Sequence, residues 1–431
     1  MRKNPMLAIF TTVFIDLLGF GILIPVFPLL ISPGSPFRVT PEGWSFTQGL
    51  IMLGWLQAIY PFFIFLAAPI LGQLSDRHGR RPVLAASIFG TSVGYVLFAI
   101  GISTANIPLL FAARALDGIT GGNLAVAQAA IGDVSNNENR AKNFGFLGAA
   151  FGLGFIIGPY LGGRLSSPDA SFYGLFDTPS WFGATTPFWF AAIIAMANCL
   201  GVLTTFPETL KEKFHGGRIK MGRAVSNVVV GFKSDRLRVI LATAFLFNAG
   251  FTFFTTFFGV YLKNSFDFSS AKIGDYFAIV GLFIAISQAV VVGRVAKKLA
   301  DFKVLRFSLL GTAAMMLVYF LTPTSSPAYL YMVIPFFTVF NGLTMANMSS
   351  LVSRSAEPGQ QGQAMGIYSS VQSLAQVPAS ILVGYITSGI TSSQPLIVSS
   401  VCIGLGGLIF VMLFRPKYVS STVAQAGAPV H

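Results

Sequence analysis

Twelve long apolar runs, separated by short segments rich in charge, glycine or proline, constrain this chain more than any other feature of its sequence. They fall at about 6–31, 46–73, 83–103, 107–131, 142–163, 184–206, 237–262, 273–296, 304–322, 327–352, 364–388 and 394–414. A helix needs about 20 apolar residues to cross the hydrocarbon core of a bilayer. Backbone groups in a bilayer must be hydrogen-bonded internally, so spanning runs of this kind form helices. The sequence therefore predicts an all-α integral membrane protein with twelve transmembrane helices.

The composition excludes most soluble classes of protein. Charged residues make up 10% of the chain and hydrophobic residues 54%, whereas about a quarter of a soluble protein is charged. Cys199 and Cys402 both lie inside apolar runs, and the three histidines are scattered. No disulfide framework, metal cluster or nucleophile–base constellation is predicted. We therefore expect neither an enzyme nor a protein that holds a metal or an organic cofactor.

The basic residues give the chain an orientation. The formal net charge is +13, which in a soluble protein would suggest a nucleic-acid partner. An even number of spans puts both termini on one side. If that side is the cytoplasm, 23 Lys and Arg residues fall in cytoplasmic segments, 4 fall outside, and Arg114 lies in the membrane. The positive-inside rule therefore predicts that both termini are cytoplasmic, and no nucleic-acid partner is expected.

The chain is predicted to consist of two six-helix halves. These are residues 1–206 and 237–416, joined by a cytoplasmic linker at 207–236 and followed by a cytoplasmic tail at 417–431. An offset of 221 residues aligns Gly72 with Gly293 and Gly90-Thr91 with Gly311-Thr312. Parallel repeats of this kind build carriers that bind substrate at the midplane between the halves. The basic linker is explained by topology and by contact with anionic lipid.

A glycine-rich charged turn follows the second run, and it holds Gly72, Asp76, Arg77, Gly79, Arg80 and Arg81. It resembles the signature of the major facilitator superfamily at the same place in the fold. The resemblance implies that Asp76 faces the positive end of the eleventh helix and that Arg80 pairs with Asp133 at the end of the fourth. Together they would latch the outward-open state. The alternative is a turn whose charges only set the topology.

The second half carries an altered copy of this turn, from Gly293 to Phe302. Lys297 stands where the first copy has Asp76, and Ala300 where it has Gly79. We expect this copy to have no function beyond topology.

The fifth run presents a surface of small residues, made by Gly154, Gly158, Pro159, Gly162 and Gly163. Small residues at fourfold spacing allow helices to approach closely, and the proline bends the span. On packing grounds alone the pattern indicates a helix contact. It also resembles the motif that the major facilitator superfamily associates with proton antiporters, which implies exchange of substrate against protons.

Three charged residues lie inside the predicted membrane region. Asp16 is nine residues past Leu7, about 14 Å into the first helix and close to the midplane. Arg114 and Asp117 share one face of the fourth helix, where a local ion pair is possible. Ionisable residues at this depth are expensive and are functional candidates by default. We predict that the three couple transport to protons, with Asp16 or Asp117 as the carrier; the alternative is structural neutralisation of Arg114.

Other polar side chains in the runs are candidates for lining the substrate cavity. They are Gln57, Asn123, Gln128, Asn248, Gln288, Asn341, Gln372 and Gln376. Hydrogen bonding between helices explains each of them equally well. The phenylalanines at 251, 253, 254, 257 and 258 are expected to pack or to face lipid rather than to form a substrate cage.

Across almost the whole chain the motifs look like those of tetracycline/proton antiporters and related twelve-helix drug exporters. Unlike that group, this chain has no acid within 83–103 or 304–322. The resemblance implies proton-coupled efflux of an amphipathic small molecule by a monomer in the bacterial cytoplasmic membrane, with the proton as coupling ion. An uncoupled facilitator, a sugar or metabolite exporter, and a non-transporting sensor are the alternatives.

Overall fold

A computed structural model describes residues 5–135, 140–168, 170–171, 177–210, 219–357, 361–389 and 393–416. Residues 211–218 of the predicted linker and the predicted tail from 417 onward lie outside the described residues. The described chain is almost entirely helical, as the apolar runs predict.

Within the described ranges, seven helices precede the linker. They are α1 (Pro5–Ile31), α2 (Phe46–His78), α3 (Arg80–Ser103), α4 (Ile107–Thr120), α5 (Asn123–Asp133), α6 (Arg140–Leu165) and α7 (Thr186–Thr205). A short helix, α8 (Arg223–Lys233), lies within the predicted linker. The helices that follow are α9 (Arg238–Phe266), α10 (Ser270–Ile286), α11 (Gly293–Lys298), α12 (Asp301–Leu321), α13 (Ala328–Ser355), α14 (Gln361–Gly389) and α15 (Gln394–Leu413).

Nine helices within the described ranges are long and apolar enough to cross a membrane. They are α1, α2, α3, α7, α9, α10 with its continuation, α12, α13 and α15. The other three predicted runs are occupied by α4 with α5, by α6 and by α14. The protein is therefore an all-α, multi-pass integral membrane protein.

The fourth run is not the single helix that its apolar pattern predicts. It breaks at Gly121 and Gly122, which join α4 to α5. A Cβ atom at Gly122 would lie 2.9 Å from the Cα of Ala68 on α2. The break therefore coincides with a close approach of two backbones that only glycine permits.

The eighth run is also interrupted, by a π-helical segment at Ser287–Val292 between α10 and α11. Such segments occur mostly as local bulges within α-helices and often at functional sites. Apolar periodicity cannot predict it, because one extra residue in a turn leaves the hydrophobic content of the run unchanged.

The two halves meet chiefly along four helix pairs, α1 with α9, α1 with α10, α2 with α14, and α6 with α10. The buried core of the first half also takes in residues of α9 and α14. We call the end of the bundle that holds the α2–α3 turn the latch end, and the end that holds the α1–α2 connection the far end. Near the far end, a Cβ added at Gly54 would lie 2.7 Å from the Ser380 carbonyl oxygen. A Cβ added at Gly259 would lie 2.9 Å from the Ile24 carbonyl oxygen. The halves are therefore in backbone contact there.

The latch end is packed differently. Helix α5 packs on α1, α2, α3 and α6 of its own half, and among the described residues it makes no extensive contact with α13 of the other half. The far end therefore holds backbone contacts between the halves, whereas α5 at the latch end packs within its own half.

Candidate functional site

A small cavity lies between the two halves, midway along the bundle. Its N-terminal wall comes from α1, α2 and α4, and its C-terminal wall from α9 and α14. The lining residues are Phe20, Leu23, Ile24, Phe27, Gln57, Tyr60, Pro61, Arg114, Thr252, Thr255, Thr256, Gln376 and Ser380. The space open to water is about 20 Å³, which is room for about one water molecule. Binding of a larger molecule therefore requires the halves to move apart.

Arg114 is the basic residue of the cavity wall. It is 3% exposed, and its Nη1 donates to Oδ2 of Asp117 at 2.8 Å. The guanidinium carbon lies 4.3 Å from the ring centroid of Tyr60, within cation–π range. Its Nε and Nη2 have no hydrogen-bond partner among the described residues. One side of the cation is thus satisfied, and two donors are left for other groups.

Asp16 belongs to the same cluster. It is part-buried on α1, and its carboxylate interacts with the side chain of Asn123 and electrostatically with Asp117. No ion pair links Asp16 to a basic residue within the described part of the chain. The structure therefore brings together the three membrane charges that the sequence singles out and pairs two of them.

Two tyrosines complete the cluster, and sequence reasoning missed both. Tyr60 stands beside Arg114, and the buried Tyr95 of α3 interacts electrostatically with Asp16 and Asp117. A Cβ at Gly19 would overlap the Tyr95 hydroxyl. The Tyr95 side chain can therefore pack against α1 because residue 19 is a glycine. A tyrosine in an apolar run gives little sequence signal, because it is common in packed cores.

The predicted cavity residues have several different environments. Gln57 and Gln376 line the cavity. Asn248 is bonded to the Ala244 carbonyl and lies 3.5 Å from the Gln372 amide. The remaining candidates do not line it: Asn123 is buried beside Asp16, Asn341 is buried on α13, and Gln128 and Gln288 are exposed. Four hydroxyl groups that the sequence did not flag line it instead, those of Thr252, Thr255, Thr256 and Ser380.

The phenylalanines of α9 pack in both cores: Phe253 and Phe257 join the core of the N-terminal half, and Phe251, Phe254 and Phe258 that of the C-terminal half. Phe254 and Phe258 are buried and contact Tyr319 at ring-centroid distances of 5.7 and 5.4 Å. None of the five lines the cavity.

The charged turn forms a compact network at the latch end. Arg80 donates from Nη1 to Asp76 Oδ1 at 2.6 Å and to Ser75 Oγ at 2.7 Å, and from Nε to Asp133 Oδ2 at 2.9 Å. Asp76 keeps 49% of its side chain exposed. Arg81 donates to the Leu203 carbonyl oxygen, and Arg77 lies in the last turn of α2. All of these contacts lie within the N-terminal half.

Glu208 also belongs to this network, and its role is not visible in the sequence pattern. Its carboxylate accepts the backbone N–H groups of Arg80 at 2.8 Å and Arg81 at 3.2 Å. It therefore caps the positive N-terminus of α3. Gly79 has φ +105°, and a Cβ there would lie 2.3 Å from Glu208 Oε2. Both facts explain why glycine occupies this position.

The small residues of α6 face two different helices. A Cβ added at Gly158 would lie 2.8 Å from a carbonyl oxygen of α1, and one added at Gly162 would lie 2.5 Å from another. A Cβ added at Gly154 would lie 2.5 Å from Leu17 Cβ, also on α1. Gly163 instead faces Ser270 of α10, in the other half. Pro159 lies inside α6 and packs against Gly21 and Gly274. The motif thus holds α6 between its own half and the opposite one.

At the far end an ion pair bridges the halves. Arg164 Nη2 donates to both carboxylate oxygens of Asp275, at 2.9 and 2.8 Å. The two side chains are 13% and 28% exposed. Trp55 Nε1 lies 3.4 Å from the Tyr385 hydroxyl at the same end. These contacts close the far end in addition to the backbone packing.

The sequence was compared with known protein families. The model of the Major Facilitator Superfamily matches residues 9–380. The chain belongs to the Major Facilitator Superfamily. It is therefore a transporter of that superfamily, and its partner is a small-molecule substrate.

Within the superfamily the chain is similar to tetracycline resistance proteins. It is 29% identical to the class C protein of Escherichia coli over 385 residues, which is 88% of this chain and 89% of that protein. It is also 29% identical to the class H protein of Pasteurella multocida, over 90% of each chain.

Solved superfamily structures share the fold. The crystal structure of the human organic anion transporter MFSD10 (TETRAN) matches with a TM-score of 0.71 at 22% identity, over 94% of this chain and 98% of that one. A D-xylose-proton symporter matches with a TM-score of 0.72 at 17% identity, over 96% and 98%.

Proposed function

We propose that this transporter exports an amphipathic small molecule in exchange for protons. The observation that carries the proposal is the pairing of Arg114 with Asp117, which leaves Asp16 as the carboxylate of the cluster without a basic partner in the described chain. Two acids and one base leave one carboxylate free to take a proton. Asp16 is accordingly the proposed carrier, and Arg114 and Asp117 set its electrostatic surroundings.

Exchange requires that proton and substrate exclude each other. A cation, or a neutral molecule that donates hydrogen bonds, favours the ionised carboxylate and so competes with the proton. An anion would instead favour the protonated form and would travel with the proton. Antiport at this cluster therefore calls for a cationic or neutral substrate.

The cavity wall supports an amphipathic substrate. Phe20, Phe27 and Tyr60 offer aromatic surface, while Gln57, Gln376 and the hydroxyl groups of α9 offer hydrogen bonds. Pockets of this mixed kind bind small organic molecules. The names of the relatives make tetracycline the first substrate to test.

The bacterial tetracycline resistance relatives support a location in a bacterial cytoplasmic membrane, and the distribution of basic residues supports an orientation with the latch end in the cytoplasm. In this orientation the closed far end is the outer end of the protein. We expect the transporter to work as a monomer.

The decisive experiment uses proteoliposomes with an imposed pH gradient. Wild type should take up tetracycline against its gradient and release protons as it does so. Asp16→Asn should lose pH-driven transport and keep substrate counterflow exchange. Asp267→Asn is the matched control, since Asp267 is an exposed acid at the far end, and it should behave like wild type.

Two results would reject the proposal. Retained pH-driven transport by Asp16→Asn would remove Asp16 as the carrier. Transport by wild type without any substrate-induced proton flux would favour the uncoupled facilitator.

A further inference from the structure

Helix α8, in the connection between the halves, has three distinct sides. Ala224 and Gly231 are buried against the protein. Val225, Val229 and Phe232 lie within an arc of about 60° at 3.6 residues per turn, and they are 56%, 46% and 39% exposed. The third side carries the exposed Arg223, Ser226 and Lys233 together with the exposed Val230. A connection that only had to reach from one half to the other in water would not need the exposed apolar side.

The position of α8 places this apolar side at the membrane surface. A Cβ at Gly231 would lie 2.6 Å from Leu241 Cδ1 on α9 and 2.5 Å from Ile367 Cγ2 on α14. Leu241 is the fourth residue of α9, and Ile367 is about 9 Å inside the first residue of α14 at 1.5 Å per residue. Helix α8 therefore lies beside the first turns of these helices, at the level of the headgroups.

The charge of the segment favours an anionic surface. Between Ile219 and Ser234 the chain has Lys220, Arg223 and Lys233 and no acidic residue. A helix with an apolar side, a basic side and low net hydrophobicity is typical of segments that lie in the interface of anionic bilayers.

The segment also touches both halves. Just before α8, the Lys220 backbone N–H donates to Gln73 Oε1 at 3.0 Å, and Gln73 Nε2 lies 3.4 Å from the Lys220 carbonyl oxygen. Gln73 is on the last turns of α2, one turn before Asp76. Helix α8 itself packs on α9 and α14 of the other half. A force on α8 is thus transmitted to the charged turn and to the C-terminal half together.

We propose that α8 is an interfacial helix that binds anionic lipid at the latch end: Val225, Val229 and Phe232 enter the leaflet, while Arg223 and Lys233 contact lipid phosphates. The lipid composition of that leaflet then regulates how readily the latch end opens. The proposal concerns the linker alone and holds whatever substrate or coupling ion the transporter uses.

Site-directed fluorescence tests the proposal on the full-length protein. In a background of Cys199→Ala and Cys402→Ala, an environment-sensitive probe is attached to Val229→Cys or, as the matched control on the polar side, to Ser226→Cys. The protein is reconstituted in phosphatidylcholine vesicles with or without phosphatidylglycerol. Quenching by aqueous iodide and by lipids spin-labelled near the headgroup is then measured.

The expected result is opposite behaviour at the two positions. The probe at 229 should be quenched by the spin-labelled lipid and shielded from iodide, and both effects should increase with phosphatidylglycerol. Arg223→Gln with Lys233→Gln should abolish that increase. At 226 iodide should quench in every vesicle.

Equal iodide quenching at 229 and 226 in both kinds of vesicle would overturn the proposal. Shielding at 229 that depends on the protein-to-lipid ratio and not on phosphatidylglycerol would also overturn it, because it would assign the apolar side to a second copy of the chain.

Discussion

Asp301 and Arg354 repeat, with their charges exchanged, the ion pair that Arg80 and Asp133 make in the first half. Arg354 Nε lies 3.3 Å from Asp301 Oδ2, and the Ser350 hydroxyl donates to the same oxygen at 2.6 Å. Both residues stand 221 positions after their counterparts, which is the offset of the internal repeat. An ion pair therefore joins the start of α12 to the end of α13 in the second half, just as one joins the start of α3 to the end of α5 in the first half.

Reversing one charge of this pair should destabilise the protein, and exchanging both should restore it. Asp301 is 7% exposed, so Arg354→Asp leaves two acids facing each other in a poorly solvated place. We expect the free energy of unfolding to fall by about 1–3 kcal/mol, which a detergent thermal-shift assay would report as a lower melting temperature. Asp301→Arg with Arg354→Asp should recover at least about half of it.

The Asp235–Arg238 pair supplies the control. Its side chains are 69% and 60% exposed at 3.1 Å, so reversing Arg238 should change stability by about 0–1 kcal/mol. A double exchange at 301 and 354 that is no better than the worse single variant would show that the pair contributes no specific stabilisation.

The positions of the helices were predictable because the bilayer imposes them. A span must be apolar over its whole length, so the run 304–322 matches helix α12 (Asp301–Leu321) to within three residues at either end. The break at Gly121-Gly122 was not predictable, since glycine is common inside membrane helices and only the neighbouring Ala68 makes it necessary.

The site was predictable only at its charged residues, because burying a charge in a membrane costs much free energy. Asp16, Arg114 and Asp117 draw attention by their charge alone, whereas Tyr95 and the hydroxyl groups of α9 join the site through tertiary packing. The Asp301–Arg354 pair lies between these cases. Applying the 221-residue offset to Arg80 and Asp133 yields it from the sequence.

Asp76→Ala should slow the transport cycle without preventing ligand binding. Asp76 accepts a 2.6 Å hydrogen bond from Arg80, and half of its side chain is exposed. The lost interaction energy should therefore be near the lower end for a charged hydrogen bond, about 1.4 kcal/mol, which corresponds to about a tenfold lower turnover. Turnover is measured in proteoliposomes and affinity by calorimetry. Asp235→Ala, another exposed acid, is the control. Wild-type turnover by Asp76→Ala would remove the latch role of the turn.

Asp275→Asn should shift the protein toward a conformation open at the far end. The substitution weakens a two-bond ion pair that joins α6 to α10 across the halves. A loss of about 1–2 kcal/mol changes an equilibrium roughly 5–30-fold. Spin labels at the exposed Thr104 and Ser325, one on each half, would report a larger population of long distances by double electron–electron resonance.

The control for this shift is Asp267→Asn. Asp267 also accepts from a lysine at the far end, Lys263 at 2.9 Å, but both residues belong to the second half. The Lys263 ammonium lowers the pKa of Asp267, so this is a formed ion pair of the same chemistry. Its loss should leave the distance distribution unchanged. Equal distributions for Asp275→Asn and wild type would show that the Arg164 pair does not hold the far end closed.

Gly162→Ala should destabilise the contact between α6 and α1 and reduce transport. The added Cβ would lie 2.5 Å from the Ile22 carbonyl oxygen and 2.8 Å from its Cα, and a helix backbone cannot yield as a side chain does. Overpacking of this kind costs about 1–3 kcal/mol, and it pushes α1, which carries Asp16, away from α6. Gly201→Ala is the matched control, because a Cβ on that turn of α7 meets nothing within 4 Å. It should be neutral or stabilise by up to about 1 kcal/mol through helix propensity. Both variants are compared by melting temperature and by transport rate, and a Gly162→Ala protein as stable as Gly201→Ala would show that α1 and α6 do not need their close approach.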